Sequence, residues 1–314
     1  MTHSTATLAR PSSPRSCPLC GAGVDQAEPF LADTRDEGRI NAFTFASRKT
    51  PEFMSHAMVQ CRACDLAYVD RPPVASALAE SYHAAAYDSS REAEDAADAY
   101  AEAIAPVLSR LRQRGSALEI GTGTAAFLDR LRQAGFAELV GVEPSTAAID
   151  AAPAERRHWI REGIFQESDF APESFDLICC FMTLEHVLDP GALVQSALRL
   201  LRPGGAFVGV THDRRAWLNR LLGRRSPIVD VEHMQLFSAA SAKNLLSQHG
   251  YAEVGGSSFR NAYSPSYWMR LAPIPAGIKT PAIEAVRKSP LDRLRVPVNV
   301  GNFISWGFKP EGQS

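Results

Sequence analysis

Four of the six cysteines in the 314-residue chain fall as two spaced pairs, Cys17 and Cys20 in "CPLC" and Cys61 and Cys64 in "CRAC". Each pair sits on a tight turn, and two such knuckles brought together offer four soft thiolates, the donor set of a closed, tetrahedral zinc site. A catalytic zinc would keep an open position and usually include a histidine or carboxylate. A redox pair would normally open a helix in a thioredoxin-like unit, and nothing around either pair reads that way. A structural Zn2+ at Cys17, Cys20, Cys61 and Cys64 is therefore expected. Its job would be to hold residues 17–72 together, a segment with too few apolar residues for a core of its own. Cys179 and Cys180 differ: they lie inside the apolar run "FDLICCFMTL" and read as core of a doubly buried strand.

The second chemical signal is "SALEIGTGTAAF", Ser116 to Phe127. Gly121 and Gly123 let the backbone turn sharply after a strand and approach a ligand closely. Glu143 ends the next strand, placed to accept hydrogen bonds from the two hydroxyls of a ribose. A nucleoside cofactor follows. The spacing does not exclude a dinucleotide, since Ala126 is an allowed variant of the third glycine. Glu119, just before the glycines, would repel a pyrophosphate and could orient a cationic amino group.

Elements must bring these groups together. Short apolar runs at 117–120, 139–143, 158–162, 175–182 and 206–212 read as strands. Helical patterns begin between them near Thr124, Ser145 and Asp189, the last with Asp189 as N-cap, Pro190 at the first helical position and "PGG" as a stop. This is an α/β, Rossmann-like doubly wound sheet, whose ligand sits beyond the carboxyl ends of the strands. The organisation reads as a disordered tail at 1–16, a small zinc-ribbon-like module at 17–72, a helical linker at 73–112 and a catalytic domain at 113–314. That domain carries insertions at about 213–232 and about 260–295. The first is too long for a simple connection and is expected to shape an acceptor site.

Together, "LEIGTGTAAF", "GVEPS", "ESFDLICCFMTLEHVLDP" and "LRLLRPGGAFVGVTHD" resemble the successive motifs of class I S-adenosylmethionine-dependent methyltransferases. The ubiquinone-biosynthesis O-methyltransferases show a similar run, and the chain also resembles sugar and natural-product methyltransferases with an N-terminal zinc-binding cysteine module. The resemblance covers about residues 115 to 260 and implies a seven-stranded sheet finished by an antiparallel pair, with S-adenosyl-L-methionine as cofactor. It implies that Glu119, Gly121 and Gly123 meet the methionine end, Glu143 the ribose diol and Phe165 the adenine, while Phe181 to Leu184 line the floor near the sulfonium. Two departures stand out: Ala125 where the family often has glycine, and Ile164 where it often has an acid.

An acceptor hydroxyl would have to lose its proton, so a base is sought. His186 in "LEHVLDP", His212 at the end of the fifth strand and His233 in "DVEHMQLF" are the candidates. Arg214, Arg215 and Arg220 could hold an acidic group, and Tyr263, Tyr267 and Trp268 could cover the acceptor, although surface and packing roles suit both sets better. With 33 basic and 35 acidic residues, the net charge of −2 marks no nucleic-acid or membrane-surface binder. The N-terminus lacks a secretory apolar core and no apolar run is long enough to span a bilayer. A cytoplasmic enzyme acting on a small-molecule acceptor is expected, with a homodimer left open. The alternatives are an RNA-binding or RNA-methylating protein that docks through its zinc module, and an NAD(P)-dependent oxidoreductase.

Overall fold

The computed structural model describes residues 13–311. The tail read at 1–16 lies outside the described residues as far as position 12. Beyond that Arg15 is anchored, its amide donating to the Asp70 carbonyl (2.8 Å) and its Nε to the Val69 carbonyl (2.9 Å).

The N-terminal part contributes β1 (Ala27–Leu31), β2 (Met58–Cys61) and β3 (Ala67–Tyr68), followed by α1 (Ala75–His83) and α2 (Ser90–Leu108). The two cysteine turns have the same geometry. The residue after each second cysteine adopts a left-handed backbone, Gly21 at φ 71° and Asp65 at φ 66°. Each donates its amide to the carbonyl of the first cysteine, Gly21 to Cys17 (2.9 Å) and Asp65 to Cys61 (3.0 Å).

The central part alternates β4 (Ser116–Ile120), α3 (Ala126–Gln133), β5 (Glu138–Glu143), α4 (Thr146–Ala151), α5 (Ala154–Arg157), β6 (Ile160–Glu162), β7 (Phe175–Phe181), α6 (Pro190–Leu200) and β8 (Leu201–His212). Asp189 caps α6 by accepting the Ala192 amide (2.8 Å). The helix ends at Leu200, before "PGG"; those residues lie within β8, where Gly204 takes φ 78°. Every residue of β7 is buried, with Cys179 and Cys180 fully so, because β4 and β8 flank it and helices cover both faces.

The chain finishes with α7 (Trp217–Leu222), β9 (Gln235–Leu236), α8 (Ala239–Gln248), β10 (Ala252–Ser258), β11 (Asn261–Tyr263), α9 (Pro265–Leu271), α10 (Ala276–Arg287), β12 (Val296–Val298) and β13 (Asn302–Phe308). Ser238 and Ser241 form a reciprocal capping box at the start of α8. The aromatic, proline-rich insertion is largely helical, as α9 and α10.

The main sheet has seven strands in the order β10-β13-β8-β7-β4-β5-β6. β8, β7, β4, β5 and β6 run parallel, and β13 pairs antiparallel with both β8 and β10, so it alone runs against the rest. The second sheet, β1-β2-β3-β9, joins the cysteine module to residues far along the chain, with Ala67 opposite Leu236 and Tyr68 opposite Gln235. Gln235 is fully buried and donates its side-chain amide to the carbonyls of Leu184 and Val187, so this short strand ties the module to the loop after β7.

Candidate functional site

The loops after β4, β5, β6 and β7 border a cavity of about 510 Å3, lined on its other side by α1, α2 and residues 45–48. That volume lies within the usual range for a small-molecule site. Glu119, Gly121, Gly123, Glu143, Phe165 and Phe181 line it. Leu184 does not: it is 1% exposed, and a Cβ on Gly209 would sit 3.1 Å from its Cδ1, so it fills core beneath the floor. Met182 and Thr183 take the floor positions beside Phe181.

The glycine turn is a steric necessity. Gly121 has φ 79° and an added Cβ would lie 2.2 Å from Thr183 Oγ1. Gly123 has φ 56° and donates its amide to Glu143 Oε2 (2.7 Å). The other oxygen of Glu143 accepts the Ser145 amide (2.9 Å), which fixes the carboxylate at the edge of the cavity with lone pairs to spare. Burial raises its pKa, against these two amides. Glu119 is driven to about 8, chiefly by burial and also by Glu143, against a hydrogen bond from Thr122 Oγ1 (2.6 Å) and the charge of Arg48. Ala125, where relatives often have glycine, is itself left-handed at φ 56°, so the backbone shape that favours glycine is kept with a methyl group in place.

The four thiols of the paired cysteines converge. Cys17 Sγ lies 3.5 Å from Cys64 Sγ, Cys20 Sγ lies 3.7 Å from Cys61 Sγ, and all four fall within 4.8 Å of one another. Zinc–sulfur bonds of about 2.3 Å in a tetrahedron require sulfur separations of about 3.8 Å, so the donor set and its spacing fit zinc.

The three candidate histidines form one cluster, but only His186 lines the cavity. The His186 ring lies 4.8 Å from that of His233, and His233 lies 6.1 Å from His212. His233 is buried, its Nδ1 2.8 Å from the Ile228 carbonyl. Burial lowers the pKa of both His186, to about 3, and His233. His212 pairs with Glu185 behind the cavity (3.0 Å). Arg214 and Arg215 turn to the cysteine module, where Arg214 Nη2 donates to the Asp65 carbonyl (2.9 Å) and Arg215 Nε to its carboxylate (2.6 Å). Arg220, on α7, is absent from the cavity wall, as are Tyr263, Tyr267 and Trp268.

Sequence reasoning missed four residues here. Tyr82 and Glu232 line the cavity beside His186. The Tyr82 hydroxyl is 2.9 Å from His186 Nδ1 and donates to the Glu232 carbonyl (3.2 Å), and the Glu232 carboxylate lies 3.9 Å from the same nitrogen. Lys49 sits behind Glu232, bonded to Asp230 (2.7 Å) and Glu52. Arg48 enters the cavity from the N-terminal module. The acid in "VEHM" beside His233 was the one available signal; the others come from segments more than a hundred residues away.

A doubly wound sheet with a glycine turn after its first strand and an acid ending its second defines a nucleoside-binding α/β protein. The sequence pattern of the family described as "Methyltransferase domain" matches residues 79–254, more than half of the chain, and the chain belongs to that family. The ubiquinone biosynthesis O-methyltransferase of Photorhabdus laumondii is 25% identical over 114 residues, covering 34% of this chain and 47% of that protein. Its counterpart from Paracidovorax citrulli is 30% identical over 118 residues, covering 34% and 48%. The chain thus spans about half the length of the curated relatives it matches. Among solved structures, a methyltransferase from Thermotoga maritima is 21% identical, covering 70% of this chain and 91% of that chain, with a TM-score of 0.47. No helix among the described residues is long and apolar enough to cross a membrane.

Proposed function

We propose that the protein transfers a methyl group from S-adenosylmethionine to a small-molecule acceptor, a sugar or secondary metabolite, at oxygen, nitrogen or carbon. The observation that carries this reading is the single cavity in which the glycine turn, Glu119 and Glu143 face a wall of Tyr82, His186 and Glu232. When bound, the cofactor supplies a methyl group already activated by its sulfonium charge.

Glu143 accepts the ribose hydroxyls with the lone pairs left by Gly123 and Ser145. Glu119 takes the ammonium of the methionine end, Phe165 lies against the adenine, and Phe181 and Met182 support the sulfur. Alignment and exclusion of water are most of the catalysis. For a hydroxyl acceptor the proton must also leave. His186 Nδ1 faces the Tyr82 hydroxyl (2.9 Å) and the Glu232 carbonyl (3.3 Å); the carbonyl can only accept, so a proton on Nδ1 suits it and leaves Nε2 a lone pair. His186 is neutral at neutral pH and takes the acceptor proton; the Glu232 carboxyl group, 3.9 Å from Nδ1, is raised by burial against the charge of Lys49 and orients the ring. The name of the curated relatives specifies O-methylation, the chemistry that needs such a base. His212 and His233 position this wall. The four cysteines hold a structural zinc that keeps the N-terminal part folded over the cavity.

Calorimetric titration with S-adenosylmethionine and with NADH tests the reading. Micromolar binding of the first alone, weakened at least about tenfold by Glu143→Ala, is expected. Preferential NADH binding would instead support an oxidoreductase, and steeply salt-dependent RNA binding a nucleic-acid function.

A further inference from the structure

Arg48 reaches the cavity from the N-terminal module, not from the nucleoside-binding sheet. Its backbone is left-handed at φ 55°, a conformation disfavoured for a residue with a Cβ. Neighbours hold it there: Lys49 is tied to Asp230 (2.7 Å), and the Ser47 carbonyl accepts Ser89 Oγ (3.0 Å).

The guanidinium lies near Tyr87, Tyr100, Tyr263 and Tyr267, and its Nη1 donates to Ser47 Oγ (3.0 Å). Among the described residues no carboxylate oxygen lies within ion-pair distance of it, although its charge reaches Glu119 across the cavity. The hydroxyl of Tyr87, also in the cavity wall, is buried without a hydrogen-bond partner. Its charge is felt by the buried Glu119 without a direct ion pair, so the guanidinium fork and the unused Tyr87 donor leave hydrogen-bonding capacity in the cavity wall that an anionic oxygen pair delivered by a ligand would fill. The planar guanidinium fork matches a carboxylate.

We propose that Arg48, with the Tyr87 hydroxyl, is an anion-receiving subsite supplied by the N-terminal module, taking a carboxylate from one of the two reactants that share the cavity. This rests on the reading of the cavity as the cofactor and acceptor site. The carboxylate belongs either to the amino-acid end of the cofactor or to the acceptor, and the cysteine module is then a working wall of the site as well as a folded appendage.

The test titrates full-length wild type, Arg48→Met and Arg48→Lys with 5′-methylthioadenosine, which lacks the amino-acid end, and with S-adenosylhomocysteine. Benzoate is then titrated into the S-adenosylhomocysteine complexes. Arg48→Met is expected to bind 5′-methylthioadenosine as wild type does and to lose at least about tenfold in affinity for one carboxylate probe, with Arg48→Lys recovering part of it. Loss on S-adenosylhomocysteine assigns the subsite to the cofactor; loss on benzoate alone assigns it to the acceptor. Unchanged binding of both carboxylate probes overturns the proposal, as does equal weakening of 5′-methylthioadenosine and S-adenosylhomocysteine, which marks a collapsed pocket. Failure of folded wild type to bind 5′-methylthioadenosine overturns the underlying cofactor reading, and this proposal with it.

Discussion

Glu185, fully buried, accepts both the main-chain amide (2.9 Å) and the ring Nδ1 (3.0 Å) of His212, joining the loop after β7 to the end of β8. Burial alone would raise the carboxyl, but the histidine more than offsets it and brings Glu185 down to about 2. Burial alone would lower His212, and Glu185 raises it instead. The pair is therefore ionised at mildly acidic pH, and it braces the strand end from behind the cavity.

Removing the imidazole strands that buried carboxylate. His212→Ala is expected to cost about 3–5 kcal/mol, more than His186→Ala, whose ring borders the cavity. Glu185 is depressed, so its contribution is complete above its unfolded pKa of about 4.3 and is lost as the pH falls through about 2. His212 is raised, so its contribution is complete below about 6.5 and is lost above its folded pKa. Urea unfolding as a function of pH should show a stability maximum between those limits that His212→Ala flattens. Equal losses from the two alanine variants would rule the brace out.

Glu119 has the opposite sign. Its folded pKa of about 8 exceeds the unfolded value of about 4.3. The unliganded folded state therefore binds the extra proton between those limits, and stability declines as pH rises through them. Ligand affinity should run the other way. S-adenosylhomocysteine, presenting an ammonium to this carboxylate, is expected to bind more tightly as pH climbs toward about 8 and to drive proton release. Glu119→Gln should flatten both profiles; calorimetry in buffers of differing ionisation heat reads the released proton, and a pH-independent wild type would refute the assignment.

The cysteine cluster carries a stoichiometric expectation. Elemental analysis should find one zinc per chain. Its removal by chelation, or Cys64→Ser, should lower the melting temperature by many degrees, because binding energy at such sites is folding energy. Metal-free protein that melts like the untreated sample would leave the four thiols with a packing role alone.

The legible parts of the sequence are those whose meaning is local. The runs in β4, β5, β7 and β8 are apolar because both faces are covered, Asp189 and Ser238 announce their helices by cap chemistry, and the cysteine spacing encodes its own turns. What escaped depends on distant partners. Nothing around Arg48 or Tyr82 shows that they fold over a turn near residue 121. Leu184, read with Phe181 as cavity floor, points to core because the chain bends after Phe181, with Met182 at φ 49°. Arg214 and Arg215 read as surface or acceptor-binding groups, since their partner Asp65 lies about 150 residues earlier. The two-residue β9 has no pattern of its own to recognise.

That small strand also sets an order of events during synthesis. The ribosome delivers β1, β2 and β3 early, but the edge of β3 stays open until residues 235 and 236 emerge. Until then the nascent cysteine module presents unpaired main-chain groups, a template for mispairing with other chains. Release of a fragment ending near residue 72 would make that exposure permanent. The amino-terminal region is thus made first and completed late, and its solubility in the interval depends on the rest of the polypeptide arriving.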